Sequence, residues 1–294
     1  MNIKSNNNNS VAGVIFDGFN YVFLALYGML SVLPFIYILA ASFASDAEIS
    51  ARPFFIFPHK ITLEAYGLVM KSAVLYRSLG VSVFVTVFGT IICMFCTITF
   101  AYPLSKKNLI GRDFLLNVVI FTMVFGGGMI PTYMMVRNLH IINTFWALLI
   151  PGAINTTNLI IIKSYFQSLP QELMESSMID GCTEMQTLWK IVLPLSKPII
   201  ATFGLFYAVA HWNDFFTALL YMNDPNKWPL QVILRQIVML SQSTLATNMP
   251  ADYVPPAASL KMATIVVGVV PIMMIYPFLQ KYFAKGVMIG AVKG

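Results

Sequence analysis

Six long apolar runs, almost free of charge, constrain this chain more than any other feature of its sequence. They cover about residues 19–43, 78–102, 114–136, 144–166, 198–221 and 262–281. Each run is close to the roughly 20 residues that an α-helix needs to cross about 30 Å of hydrocarbon. The runs lack the strict alternation of a membrane β-barrel. The sequence therefore predicts an all-α membrane protein with six transmembrane helices.

The composition supports this class. Hydrophobic residues make up 58% of the 294 residues and charged residues only 10%, whereas a soluble domain carries about 25% charged residues. The net charge of +6 is scattered, without a Lys/Arg block interleaved with aromatic residues. That pattern argues against a nucleic-acid partner and is typical of loops beside anionic membrane lipid.

Six spans place both termini on the same side of the membrane. That side also holds the loops around residues 103–113 and 167–197, where basic residues flank the spans. The positive-inside rule therefore predicts cytoplasmic termini. The polar start "MNIKSNNNNS" predicts a disordered N-terminal tail over residues 1–18. A membrane domain over residues 19–283 and a C-terminal tail over residues 284–294 follow it.

The loop over residues 167–197 is the most polar segment between two spans, and it carries several local signals. In chain order they are a helix start at Pro170, a reversal at Asp180-Gly181, a capping box of Thr183 with Gln186, and a helix end at Leu193-Pro194. These signals predict two short amphipathic helices that meet at a bend.

Two surfaces suit such a pair of helices. The second helix carries an apolar stripe at helical spacing, formed by Met185, Leu188, Trp189 and Val192. The polar face is acidic and carries Glu172, Glu175, Asp180 and Glu184. Amphipathic loop helices often lie on lipid headgroups, but anionic lipid repels acidic side chains. A basic groove on a protein partner fits the acidic face slightly better.

The loop also resembles a known signature. Glu175-Ser-Ser, Asp180-Gly181 and Ile191-x-Leu193-Pro194 resemble the EAA motif of ABC importer membrane subunits. The segments "YFQSLPQELMESSMIDG" and "GGGMIPTYMMVRNL" and the ending "YPFLQKYFAKGVMIGAVKG" are similar to the carbohydrate-uptake permeases related to the maltose system, in the branch for larger polysaccharide-derived oligosaccharides. Ser176 and Ser177 stand where the motif has alanines, and their small size preserves close packing.

The resemblance implies a type I ABC importer permease that spans the plasma membrane of a bacterium several times. Its partners would be a second homologous permease, two ATPase subunits and an extracytoplasmic binding protein that delivers an oligosaccharide. The subunit would be non-catalytic, with ATP and Mg held by the ATPases, and the chain contains no phosphate-binding G-x-x-x-x-G-K-[ST] loop. No residue is predicted to bind a metal.

In that family the loop couples the membrane domain to the ATPase. Glu175 would pair with a basic residue of the ATPase, and Gly181 would allow the bend that seats the helix. The residues implied in coupling are Glu175, Ser176, Ser177, Asp180, Gly181, Leu193 and Pro194. The C-terminal tail either reaches between the ATPases, as in related permeases, or frays as chain ends do.

Polar residues inside apolar runs mark the candidate substrate path, since such residues are costly in lipid. They are Asn155 and Asn158 in the fourth run and His211, Trp212, Asn213 and Asp214 in the fifth. Sugars need hydroxyl partners and an aromatic face; hydrogen bonds between helices use the same residue types. Helix breaks around a central cavity are indicated by Pro131, Pro151, Pro271 and the run 126–128.

Two other classes fit an apolar chain less well. Cys93 and Cys96 form a C-x-x-C pair, but a membrane thiol oxidoreductase needs accessible thiols in an electropositive site, which this run does not supply. The simpler interpretation is that both cysteines pack as small apolar side chains in a helix interface. An ion-gradient-driven secondary transporter usually shows an internal repeat and acidic relay residues, and only Asp214 is acidic within an apolar run.

Overall fold

The computed structural model describes residues 11–243 and 258–291, and their side chains over residues 13–239 and 258–274. These residues are helical with no strand, as the apolar runs predict. They divide into two units. The first runs to Lys71 and includes residues of the last helix up to Val267. The second holds Ser72–Met239 and continues from Gly268.

The helices follow in chain order. The first unit contains α1 (Val11–Ser42), α2 (Asp46–Ala51) and α3 (Glu64–Lys71). The second contains α4 (Ala73–Ser105), α5 (Arg112–Val124), α6 (Met129–Asn138), α7 (Trp146–Leu149), α8 (Thr156–Gln167) and α9 (Gln171–Ile179). There α10 (Glu184–Thr187) runs through a π-helical turn (Leu188–Val192) into α11 (Leu193–Leu195). Then come α12 (Lys197–Asn213), α13 (Phe216–Tyr221), a 3₁₀ turn (Pro225–Lys227) and α14 (Leu230–Ser243), whose residues after Met239 count with the first unit. The last helix, α15 (Ala258–Ala291), spans both units.

The first unit packs around the end of α1. Ala40 and Ala41 are buried with Phe55, and the Asp46 carboxylate accepts a hydrogen bond of 2.8 Å from the Ser259 N–H. The helix begins at Val11, so it extends into the segment that the sequence predicts to be a disordered tail. Residues 1–10 of that tail lie outside the described residues, as do residues 292–294 and the side chains of the C-terminal tail.

The second unit is built on α4, which packs along both α12 and α8. Its N-terminus is capped by the Ser72 hydroxyl, which accepts a hydrogen bond from the Leu75 N–H. The buried cluster at its centre includes Cys93, Phe166 and Phe203. The Thr97 and Tyr207 hydroxyls pair at 2.8 Å inside it, so these two polar groups satisfy each other across two helices.

Two described helices are long and apolar enough to cross a membrane, Gly13–Ser42 and Ala73–Ser105. The number rises to four if each of two bent helix pairs counts as a single span. In one pair, the chain bends by 116° between α5 and α6. In the other, it bends by 85° between the helix of residues 184–195 and α12.

Three of the predicted runs are therefore broken rather than continuous. The third breaks between α5 and α6 at residues 125–128, the fourth between α7 and α8 near Pro151, and the fifth between α12 and α13 at Asp214. Pro131 and Pro271 lie inside α6 and α15, so the prediction that they break helices is wrong. Pro131 occupies the first turn of α6, where its missing N–H costs no helical hydrogen bond.

Replacing Ser82 with alanine should destabilise the second unit. The buried Ser82 hydroxyl accepts a hydrogen bond of 2.8 Å from the N–H of Leu230, the first residue of α14, which has no partner inside its own helix. An unsatisfied buried donor costs about 1–3 kcal/mol. The matched control is Ser78→Ala, since the buried Ser78 hydroxyl only donates to the Leu75 carbonyl of its own helix. A lower thermal melting temperature for Ser82→Ala than for Ser78→Ala is expected, and equal values would contradict the assignment.

Candidate functional site

The three helix breaks lie around one cavity of about 1000 Å³ in the second unit. Its wall includes Gly126–Gly128 from the first break, Pro151 and Gly152 from the second and Asp214 from the third. Backbone that leaves a helix at membrane depth needs protein or water to satisfy it. The cavity gives the backbone at these breaks access to water.

Five of the six residues predicted for a substrate path line this cavity. They are Asn155, Asn158, His211, Asn213 and Asp214. Asn155 also caps α8, since its side-chain oxygen accepts a hydrogen bond of 3.1 Å from the Asn158 N–H. The Tyr207 hydroxyl accepts a further bond of 3.2 Å from the Asn155 N–H. The same residues thus shape the wall and present amide groups to the cavity.

Trp212 is the exception, and it does not line the cavity. Its side chain is only 6% exposed, and its indole N–H donates a hydrogen bond of 3.3 Å to the Gly268 carbonyl. Trp212 lies away from the cavity because successive residues of a helix point about 100° apart, and its place in a substrate path stays a prediction. His211 faces the cavity, so its neighbour in sequence turns into the packing between α12 and α15.

Four aromatic residues line the cavity although the sequence did not predict them there: Phe206, Tyr207, Phe216 and Tyr221. The signal for Tyr207 was available, because it lies four residues before His211 and therefore on the same face of α12. Phe216 and Tyr221 come from the helix after the break at Asp214. Aromatic faces, amides and one carboxylate suit a ligand with both apolar faces and hydroxyl groups, such as a sugar.

Both cysteines of the C-x-x-C pair are free thiols, and Cys93 contacts residues of the cavity wall. Cys93 is buried, and its sulfur lies 3.4 Å from His211 Nε2 and 3.6 Å from the Gly152 carbonyl oxygen. Buried thiols are poor redox centres, so this environment does not favour a thiol oxidoreductase. Among the described residues, no group of three or more His, Cys, Asp or Glu side chains lies close enough to hold a metal ion.

A second feature, which we name the bent loop, comprises Gln171–Ser196. Its first helix, α9, follows Pro170 and ends at Asp180, and Gly181 takes a left-handed conformation with φ of +78°. The Gly181 N–H donates to the Met178 carbonyl at 3.0 Å and the Cys182 N–H to the Ser177 carbonyl at 2.9 Å. These two bonds form a Schellman motif, which confirms the predicted reversal.

The second half of the bent loop begins as predicted but ends later. Thr183 and Gln186 form both hydrogen bonds of a capping box, which confirms that prediction. The predicted helix end at Leu193-Pro194 is wrong, because the helix continues to Leu195. Pro194 is tolerated because the π-helical turn just before it already disrupts the regular backbone hydrogen bonds.

The two halves of the bent loop are held together at Ser177, the position of the second alanine in the EAA motif. Ser177 is 3% exposed, and its hydroxyl pairs at 3.0 Å with the buried Thr187 hydroxyl. The small side chain allows the close approach that the sequence predicts, and the hydroxyl adds a bond across the bend. Ser176, one residue earlier, is exposed and donates only to the Leu173 carbonyl at 3.2 Å.

The predicted apolar stripe is split. Leu188 and Val192 are buried in the cluster around α4, whereas Met185 and Trp189 are exposed. The π-helical turn explains the split, since its wider turn shifts the angular spacing of the side chains. Three apolar residues of α9 are exposed as well: Leu173, Met178 and Ile179. The bent loop therefore presents apolar as well as acidic surface.

Its acidic residues differ in their surroundings. Glu184 forms an ion pair with Lys106 and accepts a hydrogen bond of 2.7 Å from the Tyr102 hydroxyl, which ties the loop to the end of α4. Burial alone raises the pKa of Glu184, but the bonds from Lys106 and Tyr102 outweigh it and lower that pKa. Glu175 is exposed and makes no hydrogen bond or ion pair within the part of the chain that the structure describes.

The bent loop and the cavity belong to one stretch of chain. The helix that ends at Leu195 turns by 85° at Ser196 into α12, and α12 carries Tyr207, His211 and Asn213 to the cavity. From Lys197 to His211 the helix rises by about 21 Å, at 1.5 Å per residue. A displacement of the bent loop therefore acts on the base of a helix that forms part of the cavity wall.

Comparison with known proteins gives a consistent family. Residues 3–289 match the family described as "Binding-protein-dependent transport system inner membrane component". Protein LplC of Bacillus subtilis (strain 168) is 56% identical over 97% of both chains. The polygalacturonan/rhamnogalacturonan transport system permease protein YtcP of the same organism is 49% identical over 95% of this chain and 99% of its own. A crystal structure of a bacterial ABC transporter involved in the import of the acidic polysaccharide alginate matches with a TM-score of 0.86 and 31% identity, over 93% of this chain and 98% of that one.

The Glu184 contacts predict a pH dependence of stability. Because the folded pKa of Glu184 lies below its unfolded value, its contribution is complete above the unfolded pKa and is lost as pH falls through the folded pKa. Glu184→Gln should therefore melt at a lower temperature than the parent at neutral pH, and the difference should shrink on acidification. Glu172→Gln, which removes an exposed carboxylate of the same loop, is the control. A constant difference between Glu184→Gln and the parent across the pH range would contradict this.

Proposed function

The chain belongs to the family of binding-protein-dependent transport system inner membrane components, and from this premise we propose the mechanism by which it acts in sugar import. It is the membrane-spanning permease subunit of an ATP-driven importer. An extracytoplasmic binding protein delivers an oligosaccharide, and the cavity forms this subunit's part of the path across the membrane. This assignment is supported by the carbohydrate transport systems among its relatives and by its similarity to the alginate importer.

One observation carries the mechanism: the bent loop continues directly into α12, and α12 lines the cavity. Closure of the ATPases around ATP moves the bent loop, and α12 transmits the movement to the wall that carries His211 and Asn213. The cavity then opens to one side of the membrane or the other. In thermodynamic terms, the nucleotide site and the sugar site are coupled because each favours one of two arrangements of the same helices.

The exposed surface of the bent loop fits a protein partner. Glu175 has no partner within the described residues, and the apolar Met178 and Ile179 lie exposed on the same helix. A carboxylate beside apolar side chains suits a groove with a basic residue and an apolar floor. We assign that groove to the ATPase subunit, with Glu175 on the basic residue and Gly181 setting the angle of entry.

The rest of the assembly follows from the same proposal. Two ATPase subunits hold ATP and Mg, a second homologous permease completes the pathway, and this subunit catalyses no reaction. The chain crosses the plasma membrane six times with both termini in the cytoplasm. In this arrangement the α5–α6 pair, the α7–α8 segment and the α12–α13 segment are spans broken at the cavity. The bent loop, with Lys106 and Glu184 at its base, lies in the cytoplasm.

Replacing Glu175 or Gly181 should uncouple ATP hydrolysis from transport. Glu175→Gln removes the charge that we place on the ATPase, and Gly181→Asp puts a charged side chain at the bend, in a left-handed conformation that side chains rarely adopt. Both variants should assemble at least partly and lose most sugar uptake. The measurement is uptake into proteoliposomes with ATPase activity, each with and without loaded binding protein.

Ser176→Ala is the matched control, since it restores the residue typical of the motif at an exposed position. It should support uptake at the parent rate. If Gly181→Asp took up sugar as fast as the parent, the coupling role of the loop would be refuted.

Replacing Asn213 tests the cavity. Its side chain is exposed in the cavity and makes no hydrogen bond to the described residues. Asn213→Ala should lower sugar uptake about two- to tenfold, the effect of losing one hydrogen bond of about 0.5–1.5 kcal/mol. Asn138→Ala, at an exposed position outside the cavity lining, is the control. Equal uptake by the two variants would exclude Asn213 from the path.

A further inference from the structure

His211 occupies a place on the cavity wall that depends on the residue facing it from α4. A Cβ atom added to Gly89 would lie 2.6 Å from His211 Nε2 and 2.8 Å from both Cδ2 and Cε1. Atoms in real proteins do not approach so closely, so any side chain at position 89 would displace the ring. The imidazole therefore lies directly against the backbone of α4.

Cys93 completes the contact from the same helix. It lies one turn after Gly89, on the same face of α4. Its sulfur is 3.4 Å from His211 Nε2, within the range of a hydrogen bond that involves sulfur. Cys93 is fully buried, while His211 and Gly152, which lie within hydrogen-bond distance of its sulfur, both line the cavity. Cys93 itself does not line the cavity, and the His211 ring is one of the cavity-lining groups that it contacts.

We propose that Gly89 and Cys93 are positioning residues that hold the His211 ring flat against α4, and that this position keeps the ring out of the path of the sugar. The absence of a side chain at position 89 makes room for the ring, and the Cys93 thiol fixes its rotation. The inference rests on the proposed function, because it assumes that the position of the His211 ring sets the width of the path that the sugar takes.

A general packing role for Gly89 makes a different prediction. Small residues often let two membrane helices approach, and in that case alanine would clash with the partner helix whatever residue stood at position 211. Here the three nearest atoms to an added Cβ all belong to the His211 ring. The loss of sugar uptake caused by a substitution at position 89 should therefore depend on the presence of the His211 ring.

The first experiment compares two glycines of α4 in the assembled transporter. A Cβ added to Gly80 meets no atom within 4 Å, whereas a Cβ added to Gly89 meets the imidazole. Gly80→Ala should take up sugar at the parent rate, and Gly89→Ala should be slower by about tenfold, as overpacking of a filled interior predicts. Equal uptake by the two variants would overturn the proposal.

The double variant Gly89→Ala/His211→Ala separates the two explanations. Removing the ring creates room for the new methyl group, so the double variant should match His211→Ala alone within about twofold, as expected when one mutation removes the other's target. If Gly89→Ala slowed uptake as much with alanine at position 211 as with histidine, Gly89 would serve helix packing and the proposal would fail.

A thiol readout tests the position of the ring without relying on transport. Cys96→Ser and Cys182→Ser leave Cys93 as the single thiol, and a small water-soluble methanethiosulfonate reports its access from the cavity. Cys93 should be unreactive in the parent and with Gly80→Ala, and should react at least about tenfold faster with His211→Ala or Gly89→Ala, because the buried thiol is then uncovered. Equal rates in all four proteins would overturn the proposal.

The two readouts distinguish failure of the inference from failure of the proposed function. If no oligosaccharide tested is taken up by the parent transporter, the proposed function is in error, and the thiol rates still decide the position of His211. Co-purification of each variant with the second permease and the ATPase confirms that the complexes compared have assembled.

Discussion

The structure depends on one constraint: backbone that leaves a helix inside the protein must form its hydrogen bonds with other protein groups or with water. Three of the six long apolar runs meet it by remaining helical. Three do not, and their breaks, at Gly126–Gly128, Pro151 and Asp214, all lie at the same cavity. The cavity is therefore built from the points where helices end, and its polar lining is the same feature that makes those ends tolerable.

The bent loop is stiffened by short-range hydrogen bonds. The Schellman motif at Gly181, the capping box at Thr183 and the Ser177–Thr187 pair fix the angle between its halves, and Glu184 anchors it to the end of α4. A rigid loop joined to a continuous α12 transmits displacement, whereas a flexible one would absorb it. In the proposed mechanism, this stiffness is the physical basis for coupling the ATPase to the cavity.

Predictions from sequence succeeded where the cause was local. A capping box and a glycine reversal involve residues within a few positions of each other, so Thr183, Gln186 and Gly181 could be assigned from spacing alone. The helix end at Leu193-Pro194 and the apolar stripe through Met185 were wrong because a π-helical turn changes the local period. The sequence did not show that Trp212 lies away from the cavity, because chemical type alone does not tell which face of α12 meets it.

The sequence by itself determined the class of protein, the family signature and the local geometry of the bent loop, since apolar length, residue type and short spacings decide these. Only the tertiary structure decided that three breaks share one cavity, that Tyr207 and Tyr221 line it instead of Trp212, and that the His211 ring lies on Gly89. Each of these depends on contacts between residues far apart in the chain, whose meeting is set by how whole helices pack.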